Sequence, residues 1–144
     1  MSTSWAKQLL KRSQKGLAKE NPKYKNKQTF YKDRSFGSKA EALTAAHFDM
    51  LTKMGSISQV RFQVSVLLTE SEIKYIADFV YFDHALKQDV YAETKGFETD
   101  VWKIKKRLWK HYGPGLLRVY KVQRDRVILT EEIWPVNCER KKSD

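Results

Sequence analysis

Between Ser58 and Gly96 the chain alternates apolar and polar residues with a period of two, while its flanks repeat apolar residues every three or four positions. Val60, Phe62, Val64 and Val66 fall on one face of a strand over Ser58–Leu68, with Arg61, Gln63 and Ser65 on the other. That is the pattern of a half-buried strand. Tyr75-Ile76-Ala77-Asp78-Phe79-Val80-Tyr81 and Val90-Tyr91-Ala92-Glu93-Thr94-Lys95 are rich in β-branched and aromatic residues. The polar break from Asp83 to Asp89 makes them neighbouring strands joined by a short loop. Before them, Ala40, Leu43, His47, Met50, Leu51 and Met54 predict a helix from Ser38 to Met54, with Gly55 as its stop. After them, Thr99 can cap a helix to Tyr112, ended by Gly113-Pro114-Gly115, with Val101, Ile104 and Leu108 toward the core. Leu116–Val122 and Arg126–Leu129 read as two more strands around Gln123-Arg124-Asp125, and Glu131–Trp134 as a short turn. Helix, three strands, helix, one or two strands predict an α/β chain of the α+β kind, a mixed sheet flanked by helices.

Composition narrows the partners. At 144 residues the chain fits one domain with a real core, and 41% apolar with 12% aromatic residues argues against general disorder. Lys and Arg number 28 against 17 Asp and Glu, a net charge of +11, which implies a polyanionic partner, most often nucleic acid. A single cysteine, Cys138, excludes an intramolecular disulfide and a cysteine-based zinc site and fits a reducing compartment. No run approaches the ~18 apolar residues of a membrane span, and the basic N-terminus lacks the apolar core of a secretory signal. A soluble, cytoplasmic protein with no membrane partner is therefore expected.

The charge is uneven. Residues 1–40 carry eleven Lys/Arg against two acidic residues, 41–96 carry five against eight, and 97–144 carry twelve against seven. Residues 1–37 read as a basic arm with helix expected over Ser4–Lys19, where Lys11, Arg12 and Lys15 are candidate nucleic-acid contacts. Residues 38–136 form the predicted domain and 137–144 a polar tail. In the second helix Lys103, Lys106, Arg107 and Lys110 recur at helical spacing, with Lys105 nearer the acidic segment. Phosphate contacts are expected there, and a merely solvated helix face is the plain alternative.

The acidic segment carries the chemistry. Side chains alternate across a strand, so Glu93 and Lys95 share one face. Asp78 sits mid-strand next door, where a buried carboxylate is costly without a partner or a cation. Two carboxylates and an ammonium on adjacent strands make a plausible divalent-metal site suited to phosphodiester hydrolysis.

Asp78, Glu93-Thr94-Lys95-Gly96 and the Ser38-Lys39-Ala40-Glu41 helix start, in this element order, resemble the PD-(D/E)xK nuclease superfamily over roughly residues 36–122. They look most like the phage endonuclease I type of Holliday-junction resolvase and a group of small uncharacterised phage proteins. Ala77 stands where that pattern nominally has proline. The resemblance implies a restriction-endonuclease-like core and a Mg²⁺ cofactor, with Mn²⁺ as substitute. It assigns Asp78 and Glu93 as metal ligands, the Thr94 carbonyl as a further oxygen donor, and Lys95 as the group beside the attacking water. Glu41 becomes a ligand under the resemblance; the residues themselves equally allow a capping box in which Glu41 bonds back to Ser38.

Among the other residues, His47, His84 and His111 lack a zinc-binding spacing, and Trp102, Trp109 and Trp134 suit the core better than base stacking. The resulting expectation is a metal-dependent endodeoxyribonuclease leaving 5′-phosphate and 3′-hydroxyl ends. Branched DNA is its first candidate substrate, and the chain would act as a homodimer without a small-molecule cofactor. The alternatives are a non-catalytic nucleic-acid-binding protein on a nuclease-like fold, and a sequence-specific or nicking endonuclease.

Overall fold

Ser38 starts the first helix by accepting the Glu41 amide on its hydroxyl at 3.1 Å, the N-cap bond that satisfies one of the four orphan donors of a helix start. In the computed structural model, which describes residues 29–32, 34–69, 72–136 and 138, this helix α1 spans Lys39–Lys53. Gly55, at φ 81°, closes it in the left-handed conformation that glycine tolerates best. Two short strands precede it: β1 (Thr29–Tyr31) and β2 (Arg34–Phe36) form an antiparallel hairpin inside the stretch assigned to the arm, and Phe36 joins the core. The predicted helix at Ser4–Lys19, with Lys11, Arg12 and Lys15, lies outside the described residues.

Strands β3 (Ile57–Leu67), β4 (Lys74–Asp83) and β5 (Gln88–Thr94) follow, then helix α2 (Asp100–Tyr112), β6 (Leu117–Gln123) and β7 (Arg126–Ile133). They build one five-stranded mixed sheet in the order β3-β4-β5-β6-β7, with α2 as the crossover that makes β5 and β6 parallel and every other pair antiparallel. The chain is thus a mixed α/β protein of the α+β kind. Among the described residues no helix is long and apolar enough to cross a membrane.

The sheet has a core on each face. On one side Phe48, Ala42 and Ala45 of α1 pack with Phe79, Tyr81 and Tyr120. On the other, Trp102 and Trp109 of α2 pack with Tyr75, Val80 and Leu117. The tryptophans are core residues, 3% and 0% exposed, and they correct the expected orientation of α2: Val101 and Ile104 are 62% and 60% exposed, with only Leu108 partly covered. Two stripes of α2 were apolar, and the one with the larger aromatic area to bury faces inward. Gly113 lets α2 end tightly, since a Cβ there would lie 2.7 Å from the Trp109 ring.

Two further readings need correction. Val60 and Phe62 pack on the α1 side but Val64 on the α2 side, so the apolar residues of β3 do not share one face. Positive φ at Gln59 and Gln63 (53° and 51°) breaks the alternation that a regular strand enforces. Glu131–Ile133 extend β7 instead of forming a turn. A two-residue turn with Arg124 and Asp125 both at positive φ joins β6 and β7, the twist-matched connection that keeps a hairpin pairing along its length.

Candidate active site

The ladder between β4 and β5 runs from Asp83↔Gln88 to Phe79↔Ala92 and stops there. Beyond that pair β4 continues against β3, and β5 continues against β6 through Thr94↔Tyr120. The two strands part like a fork, and the Thr94 amide loses the partner that a longer ladder would supply. Asp78 takes its place: Oδ2 accepts the Thr94 N–H at 3.0 Å. A buried donor left unpaired costs free energy, so the carboxylate closes a gap in the sheet while facing out of it.

Glu93, one residue before, is buried and points to the α2 side. Tyr75 donates its hydroxyl to Oε2 at 2.7 Å, and the Lys95 ammonium lies 2.9 Å from Oε1. Lys95 in turn sits over the Trp102 ring at 5.0 Å, a cation–π contact that holds the ammonium against the sheet. The expected shared face of Glu93 and Lys95 is therefore real, and Tyr75 is a member that periodicity could not reveal, since it reads only as an alternating strand residue. Burial and the Glu93 carboxylate push the Tyr75 hydroxyl well above its ordinary range, so it remains a neutral donor.

Glu41 approaches from the first turn of α1. Burial first, then the nearby Glu93 carboxylate, raises its pKa, opposed by the Gly37 backbone and by Lys95. Its backbone N–H serves the Ser38 cap, while its side chain is drawn to Gly37, whose hypothetical Cβ would lie 3.7 Å from Glu41 Oε1. The Ser38 cap therefore uses the Glu41 backbone, while the Glu41 carboxylate, which a capping box would turn back to the Ser38 amide, lies by Gly37 at the cleft instead.

Asp78 is the most perturbed member. Burial and then Glu93 push its pKa up to about 8, with Glu41 adding to the rise and the Thr94 amide and Lys95 opposing it. Among the described residues no Lys or Arg forms an ion pair with Asp78. Three carboxylates share one ammonium, and an open cleft of about 280 Å³ lined by Arg34, Gly37, Glu41, Phe62, Gln63 and Asp78 leads to them. Arg34 and Gln63 had no signal of their own in the sequence; one lay in a basic run and the other on the polar side of a strand.

A strut joins helix and strand beside the carboxylates. The Thr94 hydroxyl donates to Thr44 Oγ1 at 3.1 Å, and the Thr44 hydroxyl donates to the Ala40 carbonyl at 2.8 Å.

The donor set suits a hard divalent cation: oxygen ligands, like charges in partial burial, and an unbalanced negative charge. Among the described residues no three His, Cys, Asp or Glu side chains form a ready cage for one. Both oxygens of Glu93 are turned to Tyr75 and Lys95. A carboxylate has about four lone-pair sites, so those two bonds still leave Glu93 able to ligate.

The basic face of α2 divides. Lys103, Arg107 and Lys110 are exposed. Lys106 instead lies 2.7 Å from Glu131 and 3.3 Å from Glu98, so its charge is matched within the fold. Lys105 reaches toward the site, 6.0 Å from the Tyr75 ring. His47 packs against Phe48 and Tyr120, and burial lowers its pKa. His84 lies beside Ser58 Oγ at 3.0 Å, and His111 ends α2.

Comparison with protein-family models finds no match, and no curated protein matches the sequence.

Proposed function

We propose that the chain is a metal-dependent DNA endonuclease that hydrolyses phosphodiester bonds at the fork between β4 and β5, acting on branched duplex DNA as a homodimer. Support comes from the fork itself: Asp78 stands beside Glu93 and Glu41 with its pKa raised to about 8, and among the described residues no cationic side chain is ion-paired to it. A structural carboxylate would be matched by a base; this group of three is left short of positive charge. Bound Mg²⁺, or Mn²⁺ in its place, would supply Lewis-acid polarisation of water and phosphate. Asp78, Glu93, the Thr94 carbonyl and Glu41 are the residues that would hold it.

The remaining work falls to the chain's own groups. Asp78 acts as a carboxylate, so its proton must leave before the site is competent. Tyr75 fixes one oxygen of Glu93 and so orients the carboxylate. Lys95, steadied by Trp102, carries the ammonium that faces charge developing on the phosphate and orients the attacking water. In-line attack leaves a 5′-phosphate and a 3′-hydroxyl. Lys103, Arg107 and Lys110 contact backbone phosphates and set the duplex in place without reading its sequence.

The test incubates the protein with Mg²⁺ or Mn²⁺ and duplex, single-stranded, flap and four-way-junction DNA, with Asp78→Ala and Lys95→Ala as controls. Junction or flap cleavage lost in both variants is the expected result. DNA binding without cleavage of any substrate would establish the non-catalytic alternative. Cleavage that survives both substitutions would remove the site assignment, and even cutting of linear duplex would remove the branched-DNA preference.

A further inference from the structure

A second cavity, of about 320 Å³, lies under the β1–β2 hairpin, between it, α1 and β3. Tyr31, Phe36, Ala45, Val60 and Phe62 give it apolar walls. It shares Arg34, Phe36 and Phe62 with the cleft that holds Glu41 and Asp78, so the two spaces adjoin across the same three side chains. Its size is at the lower end of the ~300–1,000 Å³ typical of ligand pockets, which suits one small planar group.

The walls are those that bind an unstacked base. Phe62 is held edge-on by Phe36 and Phe79, at 5.8 Å and 5.5 Å between ring centroids. The Arg34 guanidinium lies over the Phe62 ring, 4.2 Å from its centroid. An aromatic ring and a guanidinium plane are the two surfaces on which proteins stack extruded bases. Polar groups meet the apolar walls: Asp49 accepts from Tyr31 at 3.3 Å and from Lys32 at 2.7 Å and also pairs with Lys53, so its charge is matched and does not repel a nucleic-acid strand. Arg34 is exposed and lines both spaces, which places a cation between this cavity and the cleft that holds the carboxylates.

We infer that this cavity receives one unpaired nucleobase of the strand whose phosphate enters the fork, with Arg34 bridging the two subsites. The inference rests on the reading of the fork as a phosphodiester-hydrolysing site and adds a specificity element to it. Only DNA with a base free to leave the stack at the branch fills both spaces. An intact duplex must first pay for unstacking. Preference for branched DNA then comes from the pocket, and sequence preference stays weak because every base has a stacking face.

The experiment places 2-aminopurine, a fluorescent adenine analogue, at successive positions around the branch of a flap substrate and measures fluorescence and affinity in EDTA, where no cleavage occurs. Wild type is expected to change the signal at one position only. Thr52→Trp, an exposed α1 residue at the cavity, is expected to fill the pocket and cancel that change. It should also weaken flap binding by about tenfold, the order of one base–aromatic stack, while leaving linear duplex binding unchanged. Arg34→Ala should act in the same direction with the helical spectrum intact. No position-specific signal in the wild type, or a signal that Thr52→Trp leaves unaltered, overturns the inference. Cleavage assays on the same proteins separate the two readings. A base signal without cleavage keeps the pocket and removes the nuclease. Branch cleavage that Thr52→Trp does not impair keeps the nuclease and removes the pocket.

Discussion

Strand β4 carries two aspartates five residues apart, and they live in opposite circumstances. Asp83 is buried and fully matched. Oδ1 accepts the amides of Ala85 and Leu86 at 2.9 Å each, and Oδ2 accepts from Arg118 at 2.9 Å. Arg118 is held in turn by Tyr81 and Glu132, and Tyr81 by Tyr120. Asp78 has one amide, from Thr94, and two carboxylates for company. A network with every bond made specifies structure; a set of like charges with too few partners is the arrangement that marks candidate functional sites. The same residue type on the same strand therefore serves the hairpin at one end and, on the proposed reading, the chemistry at the other.

The sharpest way to break this contrast is to exchange the losses. Asp78→Ala is expected to abolish cleavage while leaving the thermal midpoint of metal-free protein at pH 8 unchanged or higher. Asp83→Ala is expected to destabilise by about 3–5 kcal/mol, because the amides of Ala85 and Leu86 lose their acceptor and Arg118 loses one of its two carboxylate partners. Calorimetry and a cleavage assay on both proteins check this, and equal stability losses would erase the distinction. Lys95→Ala comes next, with cleavage lower by about 10²–10³-fold, the scale of losing one group that stabilises transition-state charge, and with a lower melt as well, because buried Glu93 loses its ammonium partner. Glu41→Ala should lower cleavage and divalent-cation affinity at nearly constant stability, whereas Ser38→Ala should cost about 1 kcal/mol of stability and spare the chemistry. A Glu41→Ala protein with normal activity would return that residue to helix capping alone.

A subtler test uses protons. The folded pKa of Asp78, about 8, lies above its ordinary 3.8, so the folded state binds the extra proton between those values. Stability from this group is then fullest at low pH and declines as pH rises through that window. Metal-free protein should accordingly lose stability between pH 5 and 8 by melts in EDTA, and Asp78→Asn should flatten the slope; a wild-type slope retained in Asp78→Asn would assign it to another group. The smallest effect concerns α2: Lys103→Ala or Arg107→Ala should each reduce the log–log salt slope of DNA binding by about 1, and Lys106→Ala should not.

Local chemistry made much of the fold readable. Ser38 and Thr99 mark helix starts with side chains that accept the amides of Glu41 and Trp102, and Gly55 marks a helix end. Glu93 and Lys95 share a face because strand geometry leaves no other choice. What was not readable depends on competition between distant parts. Val101 and Ile104 lost the inward face of α2 to Trp102 and Trp109 because only one side of the helix can meet the sheet. The split face of β3 follows from left-handed backbone at two glutamines, which carry no turn signature. Tyr75 meets Glu93 beyond the point where β4 and β5 part, and Arg34 and Gln63 reach the cleft from β2 and β3; a strand's own pattern does not say which neighbours it will meet.

The strut from Thr94 through Thr44 to the Ala40 carbonyl acts as a gauge between helix and strand. Ala40 precedes Glu41, and Thr94 holds Asp78 through its amide, so one short tether fixes where the helix tip stands against the strand. Carboxylates on separate elements would otherwise breathe apart under their own repulsion. Thr44, wholly buried and without charge, thereby sets the span across which the acidic groups stand.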